Sequence, residues 1–223
     1  MTVPLIAIAR HRLAVDGQGV TTLVAFHGCP LRCRYCLNAQ CLRQDGIWKT
    51  VTPEDLLEMV MVDNLYFEAT GGGITFGGGE PLLRANFIAA FCQLAKADER
   101  IRTPWHINIE SSLNVPRKNL ETVLPFINHF IVDIKDMNPS IYQEYTTKSQ
   151  EQAISNLSFL AKRSDDAFLL GKERGRFLLT VRLPHIPKYN KPDDIAASRI
   201  QLEQMGINDI EEFDYIMPQH DNP

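Results

Sequence analysis

The chain has 223 residues, 44% of them hydrophobic and 22% charged, an ordinary globular balance that excludes wholesale disorder and supports one substantial core. Its 27 acidic and 23 basic residues give a net charge of −4, the wrong sign for a sequence-independent nucleic-acid binder. No apolar run approaches the roughly 18 residues of a bilayer span. The short apolar patch in residues 1–10 has neither the basic start nor the small-residue cleavage site of a secretion signal. The expected compartment is therefore the cytoplasm, with neither nucleic acid nor membrane as a partner.

Along the chain, short apolar runs alternate with longer periodic ones. Thr22 to Phe26 reads as a strand that ends at His27-Gly28. Thr52-Pro53-Glu54-Asp55 has the Thr cap, first-turn Pro and acids of a helix start, and Leu56, Leu57, Val60 and Met61 then share one face. Gly73 to Phe76 is a second strand, and Phe87, Ile88, Phe91, Leu94 and Ala95 mark a second helix. Further strands are predicted over Trp105 to Glu110, Phe130 to Lys135, Arg176 to Leu183 and Glu212 to Met217. Helices are predicted around 139–145, 150–163 and 193–205. Near-continuous apolar strands between amphipathic helices imply a parallel sheet covered by helices. Six such units suit a partial (β/α)6 barrel or a doubly wound sheet, and both carry function at the C-terminal strand ends. His27-Gly28-Cys29, Gly77 to Glu80, Glu110-Ser111, Asp133 with Lys135, and Arg182 all stand at such ends.

Four of the five cysteines, Cys29, Cys33, Cys36 and Cys41, crowd into 13 residues. In a reducing compartment that clustering points to metal binding or catalysis rather than bridges. Cys29-x3-Cys33-x2-Cys36 can wrap one side of a metal site from a single loop. Three thiolates on a four-iron cluster leave one iron open, which a catalytic site requires. The alternative is a four-cysteine zinc site with Cys41 as the fourth ligand, although zinc sites more often use two separated C-x2-C pairs. Cys92 lies on an apolar helix face, where a free thiol behaves as a small hydrophobe.

The C-x3-C-x-aromatic-C pattern, with Tyr35 as the aromatic, resembles the signature of radical S-adenosylmethionine (SAM) enzymes. The wider pattern is similar to the activating enzymes of glycyl radical enzymes, as in pyruvate formate-lyase activation. Asp16 to Gly19 resembles that family's D-G-P-G, Gly28 to Asn38 its G-C-P-L-R-C-x-W-C-x-N, and Ile74 to Pro81 its V-T-x-S-G-G-E-P. Asp133-x-Lys135 resembles its D-x-K, Arg182 to Asn190 its R-x-P-x-I-P-x-x-N, and Met217 to His220 its L-P-Y-H. The resemblance implies a single-domain α/β partial (β/α)6 TIM-type barrel over residues 1–223, with its cluster loop at 28–41. Without a cysteine-rich insertion, a minimal enzyme lacking ferredoxin-type clusters is expected.

The resemblance also implies roles. Cys29, Cys33 and Cys36 would hold a [4Fe–4S] cluster whose open iron chelates SAM. Reductive cleavage would give a 5′-deoxyadenosyl radical that abstracts hydrogen from a glycine of a partner glycyl radical enzyme. Gly78, Gly79 and Glu80 would hold the SAM ammonium group, and Asp133, Lys135 and Arg182 its ribose and carboxylate. Asn38 would cap the cluster loop or contact SAM, and Tyr35 and His220 would complete the cofactor contacts. Glu110 and Ser111 stand where the family usually has D-T-N-G. They keep an acid and a hydroxyl at longer reach, and a ribose contact or a monovalent cation shared with Asp133 stays open. A flavodoxin- or ferredoxin-type donor would supply the electron. Two other readings remain: a radical SAM enzyme acting on a small molecule or another peptide, and a zinc-stabilised binding module without SAM chemistry.

Overall fold

The computed structural model describes residues 1–13, 15–169 and 177–215. The strands are β1 (Val3–Leu13), β2 (Val20–Phe26), β3 (Lys49–Val51), β4 (Gly73–Gly78), β5 (His106–Ser111), β6 (His129–Asp133), β7 (Leu178–His185) and β8 (Ile210–Asp214). The helices are α1 (Pro53–Met61), α2 (Asn64–Thr70), α3 (Ala85–Ala97), α4 (Arg117–Val123), α5 (Pro139–Thr146), α6 (Glu151–Leu169) and α7 (Pro192–Gln204). One sheet runs in the order β3-β1-β2-β4-β5-β6-β7-β8. From β2 to β8 every neighbouring pair is parallel. These are the six strands expected from the sequence, in an unclosed sheet: the partial barrel rather than the doubly wound alternative.

Two elements extend that reading. Residues 1–10 are no loose patch but most of β1, which pairs antiparallel with β2 and β3. Its alternation is blurred because only its first half faces the core (Val3 and Leu5 buried, Arg10 exposed). The last strand begins at Ile210, two residues before the expected start, and positions 216 and 217 of the expected run lie outside the described residues. No helix among the described residues is long and apolar enough to cross a membrane.

Local chemistry explains the helix starts. Thr52 Oγ1 accepts from Asp55 N and Asp55 Oδ2 accepts from Thr52 N, each at 3.0 Å, so a reciprocal capping box opens α1. Leu56, Leu57 and Val60 then turn inward, as do Phe87, Ile88 and Phe91 of α3. The core is rich in aromatic side chains: Phe76 stacks on Phe26 at 5.7 Å and meets Phe91 edge-on at 5.5 Å.

The Asp16 to Gly19 motif belongs to the β1–β2 connection and seals the sheet's concave side. Asp16 is fully buried. Its carboxylate accepts from Arg12 Nε at 2.5 Å and Thr21 Oγ1 at 2.6 Å, and its carbonyl accepts from Thr75 Oγ1 at 2.6 Å. Gly17 lies at φ +131°, and a Cβ there would come within 2.2 Å of Asn108 Nδ2, so this close approach admits only glycine. Asp16→Ala strands the Thr21 hydroxyl and the Arg12 guanidinium. The expected cost is about 1–3 kcal/mol, a melting-temperature loss of roughly 2–12 °C in anaerobic thermal denaturation. Asp16→Asn, which keeps an acceptor for Thr21, should lose less.

Candidate active site

One cavity of about 630 Å3 opens at the C-terminal ends of the parallel strands, within the range of cofactor pockets. Its walls include Cys29, Cys33, Cys36, Asn38, Gly78, Gly79, Glu80, Glu110, Ser111, Asp133, Lys135 and Arg182. Residues from five separate motifs thus meet in one place.

The cysteine loop leaves β2 and is tied down along its length. Gly28 N donates to Cys41 O at 2.8 Å, Arg32 N to Thr146 O at 2.9 Å and Arg34 N to Tyr145 O at 3.1 Å. Leu31 is buried beneath it. Burial pushes the Cys29 thiol up to about 12 and the Cys33 thiol up to about 11. A hydrogen bond from Cys41 holds Cys36 below the usual thiol range. Cys41 itself is buried against Ile6 and Ala25. Among the described residues, no three His, Cys, Asp or Glu side chains gather around a single ion. The donor set suits an iron–sulfur cluster instead: three half-exposed sulfurs from one loop face a shared cavity, and metal binding would displace their protons.

The Gly78–Glu80 turn lies directly against this loop. Gly79 N donates to Phe26 O at 2.9 Å, Glu80 N to Gly28 O at 2.8 Å, and Asn38 Nδ2 to Gly78 O at 3.0 Å. The amides of Gly79 and Glu80 are therefore spent. Leu83 N donates to Glu80 O at 3.2 Å, so the Gly79 carbonyl is the acceptor the turn keeps for a ligand, which suits an ammonium group. A Cβ on Gly79 would lie 2.3 Å from Gly28 O, and one on Gly78 2.7 Å from Ala25 Cα.

Glu80 serves the turn rather than pointing into the cavity. It is 1% exposed and accepts from Leu82 N (3.2 Å), Ser111 Oγ (2.7 Å), Ser112 N (3.0 Å) and Ser112 Oγ (2.7 Å). Burial raises its pKa against these donors. The Ser111 hydroxyl is thereby committed to Glu80. Asn38 makes no side-chain cap on its own loop; it holds the backbone of the glycine turn instead, at Gly78 O, and also lines the cavity. Tyr35 does not line the cavity; it packs behind the loop with Tyr145 and Tyr189. His220 lies outside the described residues.

Asp133 and Lys135 share a face as expected, with Lys135 Nζ 3.2 Å from Asp133 Oδ2. Burial opposes the lysine charge, but Asp133, Cys33 and Tyr215 outweigh it and hold its pKa above the ordinary value. Arg182 donates to Glu110 Oε1 at 2.7 Å, Glu211 Oε2 at 3.1 Å and Val15 O at 2.5 Å. Its guanidinium thus supplies positive charge beside Glu110, where a monovalent cation was the open alternative. To grip a carboxylate bidentately it would have to exchange these partners. Burial still raises the Glu110 pKa, partly countered by Arg182.

Sequence reading missed Arg12, Val15, Ser112, Phe213 and Tyr215, all of which line the cavity. Tyr215 was within reach, since it directly follows β8 and strand ends carry the site. Arg12 and Val15 gave no signal, because only the inward fold of the β1–β2 connection brings them there.

Three loop thiols thus face a glycine turn across one cavity at the strand ends of an open barrel. Residues 23–170 match the radical SAM superfamily. The chain is 34% identical to the (2S)-3-sulfopropanediol dehydratase activating enzyme of Klebsiella oxytoca, over 81% of this chain and 70% of that protein. It is 26% identical to pyruvate formate-lyase 1-activating enzyme of Escherichia coli K12, over 93% and 77% respectively. In fold it is similar to Streptococcus suis SuiB bound to S-adenosylmethionine (TM-score 0.59, 12% identity, 89% of this chain and 43% of that one). It is also similar to Escherichia coli QueE (TM-score 0.51, 13% identity, 96% and 95%). The chain belongs to the radical SAM superfamily and, within it, to the activating enzymes of glycyl radical enzymes. The zinc-module alternative falls away with that membership.

Two substitutions test the geometry. In Glu80→Gln, whichever way the amide turns, either Leu82 N or Ser112 N loses its acceptor. A cost of about 1–3 kcal/mol is expected, read as a lowered melting temperature. Gly79→Ala forces the turn away from Gly28, so iron retained per chain after anaerobic reconstitution should drop well below that of the parent protein.

Proposed function

We propose that this enzyme installs a radical on a backbone glycine of a partner glycyl radical enzyme, drawing on a one-electron carrier protein in an anaerobic cytoplasm. The observation that carries this reading is the single cavity in which three loop thiols face the Gly78–Glu80 turn and two half-buried ion pairs. Relatives named as activating enzymes, at 34% and 26% identity, support the choice of a protein partner.

Cys29, Cys33 and Cys36 would hold the cluster, which supplies a single electron to SAM when both are bound. The chain's own residues do the rest. The Gly79 carbonyl of the 78–80 turn binds the ammonium group of SAM. Lys135, kept charged by Asp133, and Arg182 offer cations to its carboxylate. Glu110 and Asp133 offer acceptors to ribose hydroxyls. Apolar side chains at the rim, Leu37 and Phe213 among them, limit water around a reactive carbon radical.

The test is anaerobic mixing of reconstituted enzyme, SAM and dithionite with candidate partners. Suitable partners are the glycyl radical enzymes that accompany the named relatives. The expected result is a glycyl doublet in the EPR spectrum of one partner, with stoichiometric deoxyadenosine. Deoxyadenosine made without any protein-borne glycyl radical, but with turnover of a small molecule or another peptide, would contradict the proposal.

A further inference from the structure

The cluster loop has an outer face as well as a cavity face, and the two differ in charge. Cavity walls carry Glu110, Asp133, Glu211 and Glu212, each in an ion pair, with Arg12, Lys135 and Arg182. The outer face carries Arg32 and Arg34 on the loop, Lys148 just beyond α5, and Lys188 in the turn after β7, all exposed. None of these four lines the cavity, and none forms an ion pair among the described residues.

Backbone contacts bring the four together. Arg32 N and Arg34 N bond the carbonyls of Thr146 and Tyr145 at the end of α5, two or three residues before Lys148. Tyr189, next to Lys188, meets Tyr145 at 5.1 Å and Tyr35 at 5.7 Å between ring centroids. These rings, with Ile186 and Tyr215, pack on Cys33 in one apolar group. Behind the basic surface there is thus a packed aromatic layer ending at a cluster ligand. Glu144 is the exposed acid on the same helix end.

We infer that this basic face is the docking surface for a small acidic one-electron carrier protein. The inference rests on the proposed radical SAM function, because each SAM cleavage consumes one electron. In the transfer the carrier is oxidised by one electron, the cluster is reduced by one, and no bond forms or breaks. Electron transfer falls steeply with distance, so the carrier must seat close to a cluster ligand. The cavity mouth is reserved for the partner glycine. The loop's outer face is close, separate from the mouth and of complementary charge, and such a patch steers association.

The experiment follows reduced flavodoxin mixed with the reconstituted holoenzyme. Association is read by biolayer interferometry and cluster reduction by stopped-flow bleaching, each at low and high ionic strength. Lys148→Glu combined with Lys188→Glu should slow both by roughly tenfold at low salt, with the gap closing as salt screens the charges. Glu144→Lys should quicken both, and Lys96→Glu on the remote end of α3 should change neither. Dithionite-driven deoxyadenosine formation should be unaltered in the double variant. Flavodoxin association and reduction rates equal to those of the parent, or absent in the parent, would overturn the inference. So would a dithionite-driven loss of glycyl radical in the double variant, which would assign the face to the partner enzyme. A parent protein that makes no deoxyadenosine even with dithionite would instead sink the proposed function itself.

Discussion

The site depends on how closely the ends of two adjacent strands approach each other. β2 ends in the cysteine loop and β4 in the Gly78–Glu80 turn, and Glu80 N to Gly28 O (2.8 Å) and Gly79 N to Phe26 O (2.9 Å) fasten one to the other. Only residues without Cβ fit there, because a methyl on Gly79 would meet Gly28 O at 2.3 Å. The same bonds occupy the amides of Gly79 and Glu80, and with Gly78 O held by Asn38 Nδ2 and Glu80 O by Leu83 N, the Gly79 carbonyl is the acceptor left for a cation. One constraint therefore fixes both the distance between the loop thiols and the glycine turn and the sign of charge the turn favours. Asn38, bridging the loop to Gly78 O, makes the two segments a single unit.

Around that unit the charged groups are compensated in two ways. Glu80 is neutralised by no cation; four donors from Leu82, Ser111 and Ser112 compensate its burial, and in return it locks the end of β5 to the turn. Lys135 with Asp133 and Arg182 with Glu110 keep polar groups poised in the cavity at little cost to the core. An unpaired buried charge would be far costlier than a paired one. The β1–β2 connection closes the bottom of this arrangement, so that Val15 reaches Arg182 from outside the parallel core.

Much of this was legible in the sequence. The six parallel strands stand out because strands buried on both faces are almost continuously apolar, as in Phe130 to Ile134. The cysteine loop and the glycine turn stand out because their chemistry tolerates few residue types. Less visible was β1, which β3 flanks only over Val3 to Leu5 and whose second half is exposed, so that its alternation fades. Least visible were the partners of side chains. Nothing in the spacing of Glu80 reveals that its carboxylate is consumed by Ser111 and Ser112, or that Tyr35 faces Tyr145 and Tyr189 instead of the cavity. Such assignments arise from the meeting of distant loops, which periodicity does not encode.

The central claim is that three thiolates from one loop leave a single iron free to bind SAM, with Cys41 a hydrogen-bonded neighbour and not a fourth ligand. Mössbauer spectroscopy of the anaerobically reconstituted, iron-57-labelled protein tests it most directly, before and after SAM is added. The account predicts a four-iron cluster in which SAM alters the signal of one iron in four, in the parent and in Cys41→Ser alike. A spectrum that SAM leaves unchanged, or a cluster lost when Cys41 becomes serine, would contradict it.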